Sequence, residues 1–329
     1  MDDIMVSISC LAYNHEKYIR QALEGFVNQK TNFKFEVLVH DDASTDGTAD
    51  IIREFEEKYP DIIKPIYQTE NQYSKKVGIQ KTYQCPRAKG KYMAFCEGDD
   101  YWCCDTKLQE QFDIMERNPD VVLCTHKVAE INEQGSLQNI TYPDVKRNIR
   151  AGLFSSEDFV NFLLNYKYPF QTSSYFVKTS LMLDMNNSNA DFLKLHPAGD
   201  SRVLWYCSVK GSMYYIDKIY SCYRKGSSGS WTSKMKNEQY RLGYYKKEVS
   251  AYKAFDAYTK YKYSELIQNL IITLEGHILF LLGDTKTLLT PRYRKFVKKL
   301  SFKQKVRYIL KVYFNSIFSL IIKVKRREV

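Results

Sequence analysis

The stretch Tyr92–Trp102 sets the terms for the whole chain. A short apolar run, Tyr92-Met93-Ala94-Phe95-Cys96, stops abruptly at Glu97-Gly98-Asp99-Asp100. Apolar runs of this length, bounded by glycine and charge, form buried strands. Carboxylates this close together repel one another unless something positive sits among them. A hard divalent cation with oxygen ligands is the usual solution, and Mg²⁺ is commonly held by one or two carboxylates with a substrate phosphate completing its shell. The stretch therefore reads in one of two ways. It is a strand end that presents a metal and, through it, a diphosphate, or it is a solvated acidic turn.

The chain on either side favours the first. Ile4–Leu11 alternates in β-rich fashion and ends at Ala12-Tyr13-Asn14-His15. Tyr18, Ile19, Ala22, Leu23, Phe26 and Val27 then fall on one helical face. Phe35–His40 is a second strand, ending at Asp41-Asp42-Ala43-Ser44-Thr45-Asp46. Ser44, Thr45 or Asp46 caps the next helix, which carries Ala49, Ile52, Phe55 and Tyr59. Ile62–Tyr67 is a third strand, and a helix is expected over Lys75–Gln84. This alternation predicts an α/β fold with a mostly parallel sheet flanked by helices. Ligands in such sheets sit beyond the carboxyl ends of the strands, where strand order reverses. Tyr13, Asp41-Asp42 and Glu97–Asp100 all follow strands directly, so they are expected along one sheet edge. No G-x-G-x-x-G follows the first strand and no G-x-x-x-x-G-K-[ST] occurs, which disfavours a dinucleotide fold and a P-loop enzyme.

With these residues in hand, the first half resembles a family 2 glycosyltransferase of the GT-A (Rossmann-like) fold, of the type that builds bacterial surface glycans. The resemblance is carried by Val6–Asn14, by Val39–Asp46 and by Phe95–Trp102. It continues through Ala198-Gly199-Asp200 with a helical stretch behind it, Lys210–Ile216, and Tyr220–Arg224 with Gly226–Trp231 following. It covers roughly residues 4–232. It implies an inverting, metal-dependent transferase that moves a sugar from a nucleoside-diphosphate sugar, by analogy a UDP-sugar, to a glycan or lipid-linked acceptor. It implies Tyr13, Asp41, Asp42, Glu97, Asp99, Arg224 and Trp231 at the donor, Mn²⁺ or Mg²⁺ at Asp99 and Asp100, and Asp200 as general base. Two positions depart from the family pattern. The leading Asp of the acidic motif is Glu97, which leaves open whether Asp99 or Asp100 is the main ligand. A family histidine two residues after the arginine is Gly226, with His196 as a substitute or an ordinary surface residue. Asp41 is a ligand or a solvated turn residue, and Asp200 a base or a plain helix cap. Intact Asp99, Asp100 and Asp200 argue against the alternative of an inactive nucleotide-sugar or glycan-binding scaffold.

The net charge of +11 is confined to the end of the chain. From Arg292 onward there are thirteen Lys/Arg and one Glu, so the rest of the chain is close to neutral and no nucleic-acid surface is indicated. Residues 1–235 are expected to form the catalytic domain and 236–329 a helical extension. Within the extension, Leu266–Leu282 reads as a buried helix. Val306, Ile309, Leu310, Tyr313, Ile317, Leu320 and Ile321 form an apolar stripe beside lysines and arginines. Such a segment suits an anionic membrane face or packs on the domain. The eight scattered cysteines show no Cys-x-x-Cys, and no signal peptide is evident. Together these predict reduced thiols in a cytoplasmic protein, peripheral on the inner membrane face.

Overall fold

The structure is a computed structural model that describes residues 3–144, 149–166, 169–226 and 234–306. The chain forms two compact units, one of Met1–Ser188 with Ala198–Ser230 and one of Asn189–Pro197 with Trp231–Val329. The 189–197 segment thus joins the C-terminal helices rather than the sheet, something no sequence pattern marks.

The first unit is built on a sheet of ten described strands in the order β3-β2-β1-β4-β9-β6-β10-β5, with β7 beside β6 and β8 beside β10. The first four are β1 (Ile4–Ala12), β2 (Lys34–Asp41), β3 (Ile63–Tyr67) and β4 (Tyr92–Phe95). They run parallel, with β1 between β2 and β4. The chain moves outward from β1 to β3 and then returns to the other side of β1, so strand order reverses between β1 and β4. This is where an α/β sheet opens a crevice for a ligand. The remaining strands are β5 (Tyr101–Trp102), β6 (Val121–Ile131), β7 (Leu137–Tyr142), β8 (Gly152–Phe154), β9 (Phe176–Lys178) and β10 (Ser212–Arg224). β9 pairs antiparallel with both β4 and β6, while β10 runs parallel to β6. This mixed half lies beyond the alternating pattern that predicts the parallel half.

Burial explains why the strands take this register. Val6, Ile8 and Cys10 are completely buried, as are Val37 and Val39 on β2. The helix Ile19–Val27 buries Ile19, Ala22, Leu23 and Phe26, the face that its spacing predicts. Each such aliphatic or aromatic side chain contributes about 1.5–3 kcal/mol on leaving water. Glu36 is buried between the strands, where it accepts from Ser7 Oγ at 2.7 Å and Lys89 N at 2.9 Å. The helix expected over Lys75–Gln84 is shorter. Lys76 takes a left-handed conformation (φ 62°), and a π-helical turn begins only at Gln80.

The second unit pairs the helices Glu238–Tyr258 and Ser264–Leu282. Phe192 packs edge-on against Phe255 and Tyr258 at 5.2 and 5.0 Å. His196 is buried here and meets Tyr252 edge-on, so it is not a surface histidine. The Ser264–Leu282 helix is also not the buried helix its composition suggests. It buries one face through Ile267, Ile271, Leu274, Gly276 and Phe280. By length and composition it is apolar enough to cross a membrane. Tyr293, Phe296 and Leu300 close a small core with Phe280 and Leu288. The apolar stripe expected over residues 306–321 lies outside the described residues, apart from Val306.

Candidate active site

Three loops at the strand-order reversal carry the residues singled out in the sequence. The loops after β1 and β2 are zipped together side chain to backbone. Asn14 N donates to Ser44 Oγ at 2.9 Å, Thr45 N to Asn14 Oδ1 at 2.8 Å and His15 N to Thr48 Oγ1 at 2.8 Å. Asn14 and Ala43 both take left-handed backbone, at φ 55° and 61°. Asp46 accepts from Thr48 N and Glu16 N and so serves the start of the Thr48–Lys58 helix; burial pushes its carboxyl up, but the Thr48 hydroxyl and these amides outweigh it and leave it lowered. Tyr13, just past β1, is half exposed and projects from this frame.

Asp41 and Asp42 are both buried, and neither is a solvated turn residue. Asp41 accepts from Ser44 Oγ and holds the turn. Asp42 accepts from Gln72 N at 2.7 Å and Tyr73 N at 3.0 Å, and its main-chain oxygen takes a bond from Asn71 Nδ2. It therefore clamps the loop after β3, a partner that sequence spacing does not announce. A carboxylate has about four acceptor sites, so two backbone bonds leave room for a ligand donor.

The acidic turn follows β4 along the end of β1. Cys96 N bonds Ser9 O and Gly98 N bonds Leu11 O. A Cβ at Gly98 would lie 2.8 Å from Ile19 Cδ1 and 3.0 Å from His15 Nδ1, so any larger residue would have to displace these side chains. The turn is held from behind by Arg224. The Arg224 N–H donates to Asp100 Oδ1 at 2.8 Å and its Nε to Asp99 O at 3.0 Å. Nη1 reaches Glu133 O at 3.0 Å, Nη2 reaches Gln21 Oε1 at 3.0 Å, and the guanidinium lies over the Tyr18 ring. The sequence reading puts Arg224 on the donor. In the fold the guanidinium nitrogens bond Asp99 O, Glu133 O and Gln21 Oε1, so the arginine also buttresses the turn. Hydrogen bonds from a charged group contribute about 1.5–3 kcal/mol each, which makes this a firm anchor.

Asp200 arrives from a distant part of the chain. It is the second residue of the Gly199–Ser208 helix, where Ala198 holds the cap position. It does not stand at the cap position, although its carboxylate takes one first-turn N–H, that of Ser201. Burial raises the Asp200 carboxyl, offset in part by the Ser201 N–H that it accepts at 2.7 Å. Its charge reaches Glu97 and the buried Tyr175. Burial, with Asp99 and Asp200 nearby, pushes Glu97 up to about 8. Burial, Asp99 and Glu97 likewise raise Asp100 despite its bond from Arg224. Burial and mutual repulsion thus hold the Glu97 and Asp100 carboxyls toward their protonated forms. Among the described residues no three His, Cys, Asp or Glu side chains enclose a cation by themselves. The set fits a cation shared with a diphosphate, which needs only one or two carboxylates from the protein. The His15 imidazole stands 4.0 Å from Asp99 with its Nδ1 buried and unpartnered. Sequence reasoning overlooked this residue, although it directly follows Tyr13-Asn14. Trp231 lies outside the described residues.

Residues 7–181 match the model of glycosyl transferase family 2. The chain belongs to that family. A Mycobacterium tuberculosis protein is 31% identical over 236 residues, covering 69% of this chain. The chain spans 61% of the length of that relative. An Escherichia coli protein named as a UDP-Glc:alpha-D-GlcNAc-diphosphoundecaprenol beta-1,3-glucosyltransferase is 32% identical over 164 residues, half of this chain and 56% of its own length. Among solved structures, S. aureus TarS with UDP-GlcNAc shares the fold at TM-score 0.54 and 19% identity, covering 94% of this chain and 79% of TarS. A Pyrobaculum calidifontis mannosyltransferase with GDP-Man and Mn²⁺ shares it at TM-score 0.50 and 14% identity, covering 94% of this chain and 84% of its own. These likenesses agree with the GT-A fold expected from the sequence.

For this family 2 protein, Glu97 gives the site a pH signature. Its folded carboxyl is raised from 4.5 to about 8, so the folded protein keeps a proton that the unfolded chain releases. The associated stability is complete below the unfolded value and is lost as pH rises through the folded one. In EDTA, the Tm should therefore fall as pH rises from 4.5 to about 8, and Glu97→Gln should flatten that slope. Calorimetric scans across this range test it, and an unchanged slope in the variant would remove Glu97 as the cause.

Proposed function

We propose that this protein is an inverting, metal-dependent glycosyltransferase that uses a nucleoside-diphosphate sugar, with UDP the favoured nucleotide. The observation that carries the reading is that Asp200 comes within electrostatic reach of Glu97, in the acidic turn that also bears Asp99 and Asp100. These carboxylates come from two distant stretches of chain, and nothing in the packing of the sheet requires them there. The UDP preference draws support from the UDP and UDP-GlcNAc complexes of TarS and from the UDP-Glc in the name of the E. coli relative.

In this reading Tyr13 offers a half-exposed ring to the nucleobase. Asp42, already fixed by the Gln72 and Tyr73 amides, accepts from the base or ribose. Asp99 and Asp100 hold Mn²⁺ or Mg²⁺, which when bound neutralises charge developing on the leaving diphosphate. Arg224 keeps the turn that bears them in place. Asp200 accepts the proton of the acceptor hydroxyl as that oxygen attacks the anomeric carbon. Burial raises the Asp200 carboxyl, which strengthens it as a base. Attack from the face opposite the leaving group inverts the anomeric centre. The acceptor is a glycan or a lipid-linked sugar, the latter in line with the diphosphoundecaprenol in the name of the E. coli relative. The basic tail would then hold the protein at the cytoplasmic membrane face where such acceptors are presented.

Three outcomes follow from this reading. UDP should stabilise the protein far more with Mn²⁺ than with EDTA, and Asp99→Ala should erase the difference in a thermal-shift assay. Equal stabilisation with chelator present would defeat the metal assignment. Asp200→Asn should keep UDP affinity while kcat falls by about two to four orders of magnitude, as for a lost general base. Near-normal turnover would move the base elsewhere. For the tail, the full chain should co-sediment with anionic vesicles and be released by salt. A chain ending at residue 306 should not bind, yet should keep the Tyr293–Phe296–Leu300 core. Retained binding by the shortened chain would acquit the tail.

A further inference from the structure

A buried lysine lies beneath the acidic turn and has no part in the proposed reaction. Lys107 opens the Lys107–Arg117 helix and is fully buried. Its Nζ donates to Gln111 Oε1 at 2.7 Å and sits 3.9 Å from the centroid of the Trp102 ring. The titratable groups facing it are the Cys96, Cys104 and Cys124 thiols and the His126 imidazole. Burial pushes the Cys96 and Cys124 thiols up and the His126 imidazole down. These three groups therefore stay neutral and offer the ammonium no counter-charge.

Two effects disfavour a cation at this position. Desolvating an ammonium is expensive. A positive charge at the first position of a helix also opposes the helix dipole. Methionine would fill the same space without either cost. What lysine adds is a grip on Trp102. The indole packs edge-on against Phe26 at 4.8 Å, and its Nε1–H donates to Ser173 O at 3.1 Å. Gln111 extends the network, its Nε2 donating to Cys124 O at 3.2 Å and Ser174 O at 3.1 Å. Trp102 is the second residue after Asp100, and its β5 strand pairs with β10 at Ser221, three residues before Arg224. The network therefore meets the acidic turn at its C-terminal end, as Arg224 does from behind.

We propose that Lys107 is a positioning residue for the acidic turn. Its ammonium, seated on the Trp102 ring and tied through Gln111 to the backbone of residues 124 and 174, fixes the chain that presents Asp99 and Asp100. Only the effect on ligand binding rests on the donor-site reading above.

Burial lowers the Lys107 ammonium to about 7, so the grip on Trp102 is present on the acid side and released on the alkaline side. In metal-free protein, Trp102 emission should titrate with a midpoint of about 7. The transition should be absent in Trp102→Phe and in Lys107→Met. Lys107→Arg keeps a cation on the ring at all accessible pH, so it should hold the acid-side emission throughout. With UDP and Mn²⁺, Lys107→Met should raise Kd about tenfold on the acid side of this transition, the scale of one desolvated cation–π contact. It should also abolish the alkaline weakening expected of the natural chain, and Lys107→Arg should restore the acid-side Kd.

A natural chain whose Trp emission does not titrate near neutrality overturns the proposal. So does a Lys107→Met protein with unchanged Kd at every pH. If the Lys107 variants fail to fold, the natural chain against Trp102→Phe still decides. If the natural chain does not bind UDP at all, the donor reading fails, and the emission titration still judges Lys107.

Discussion

Mutual repulsion among carboxylates is the constraint on which this structure turns. Glu97, Asp99 and Asp100 stand within four residues, and the fold brings Asp200 close enough to act on Glu97. Left alone, a turn with such charge would open into water. It is kept closed by backbone and by one arginine. Gly98 lets the turn pass against Ile19 and His15, and Arg224 ties the Asp99 carbonyl and the Asp100 carboxylate to β10. The scaffold withstands this repulsion, and burial together with it raises the Glu97 and Asp100 carboxyls.

The scaffold meets this load by making its loops hold one another. The β1 and β2 loops exchange side-chain-to-backbone bonds through Asn14, Ser44 and Thr48, and Asp42 fastens the loop after β3. Several polar residues at the strand ends therefore have a structural partner as well as a place at the site. Such double use suits preorganisation, because a side chain already fixed loses little freedom when a ligand arrives. It also shows why a residue type alone cannot settle a role. Arg224 has the charge expected of a diphosphate ligand, and the fold also uses it to hold main-chain carbonyls and the Gln21 side chain.

The parallel half of the sheet was legible in the sequence because each strand there alternates with a helix, and both repeat periods are local. The acidic turn was legible because its residues are contiguous. The matching family model covers residues 7–181 and adds nothing to the assignment of Asp200, which lies beyond it. The mixed half was not legible, because β9 and β10 pair with strands far away in sequence and no local pattern encodes a partner. The inclusion of residues 189–197 in the helical unit was hidden for the same reason.

The sequence by itself determined which side chains could do chemistry and that most of them follow strands, since both depend on residue type and near-neighbour spacing. Only the tertiary structure decided which of them face one another. Asp200 near Glu97, His15 beside Asp99 and Arg224 against the acidic turn are all contacts between segments far apart along the chain. Such contacts are set by how the sheet twists and packs as a whole, and that information is not present in any stretch of the chain read alone.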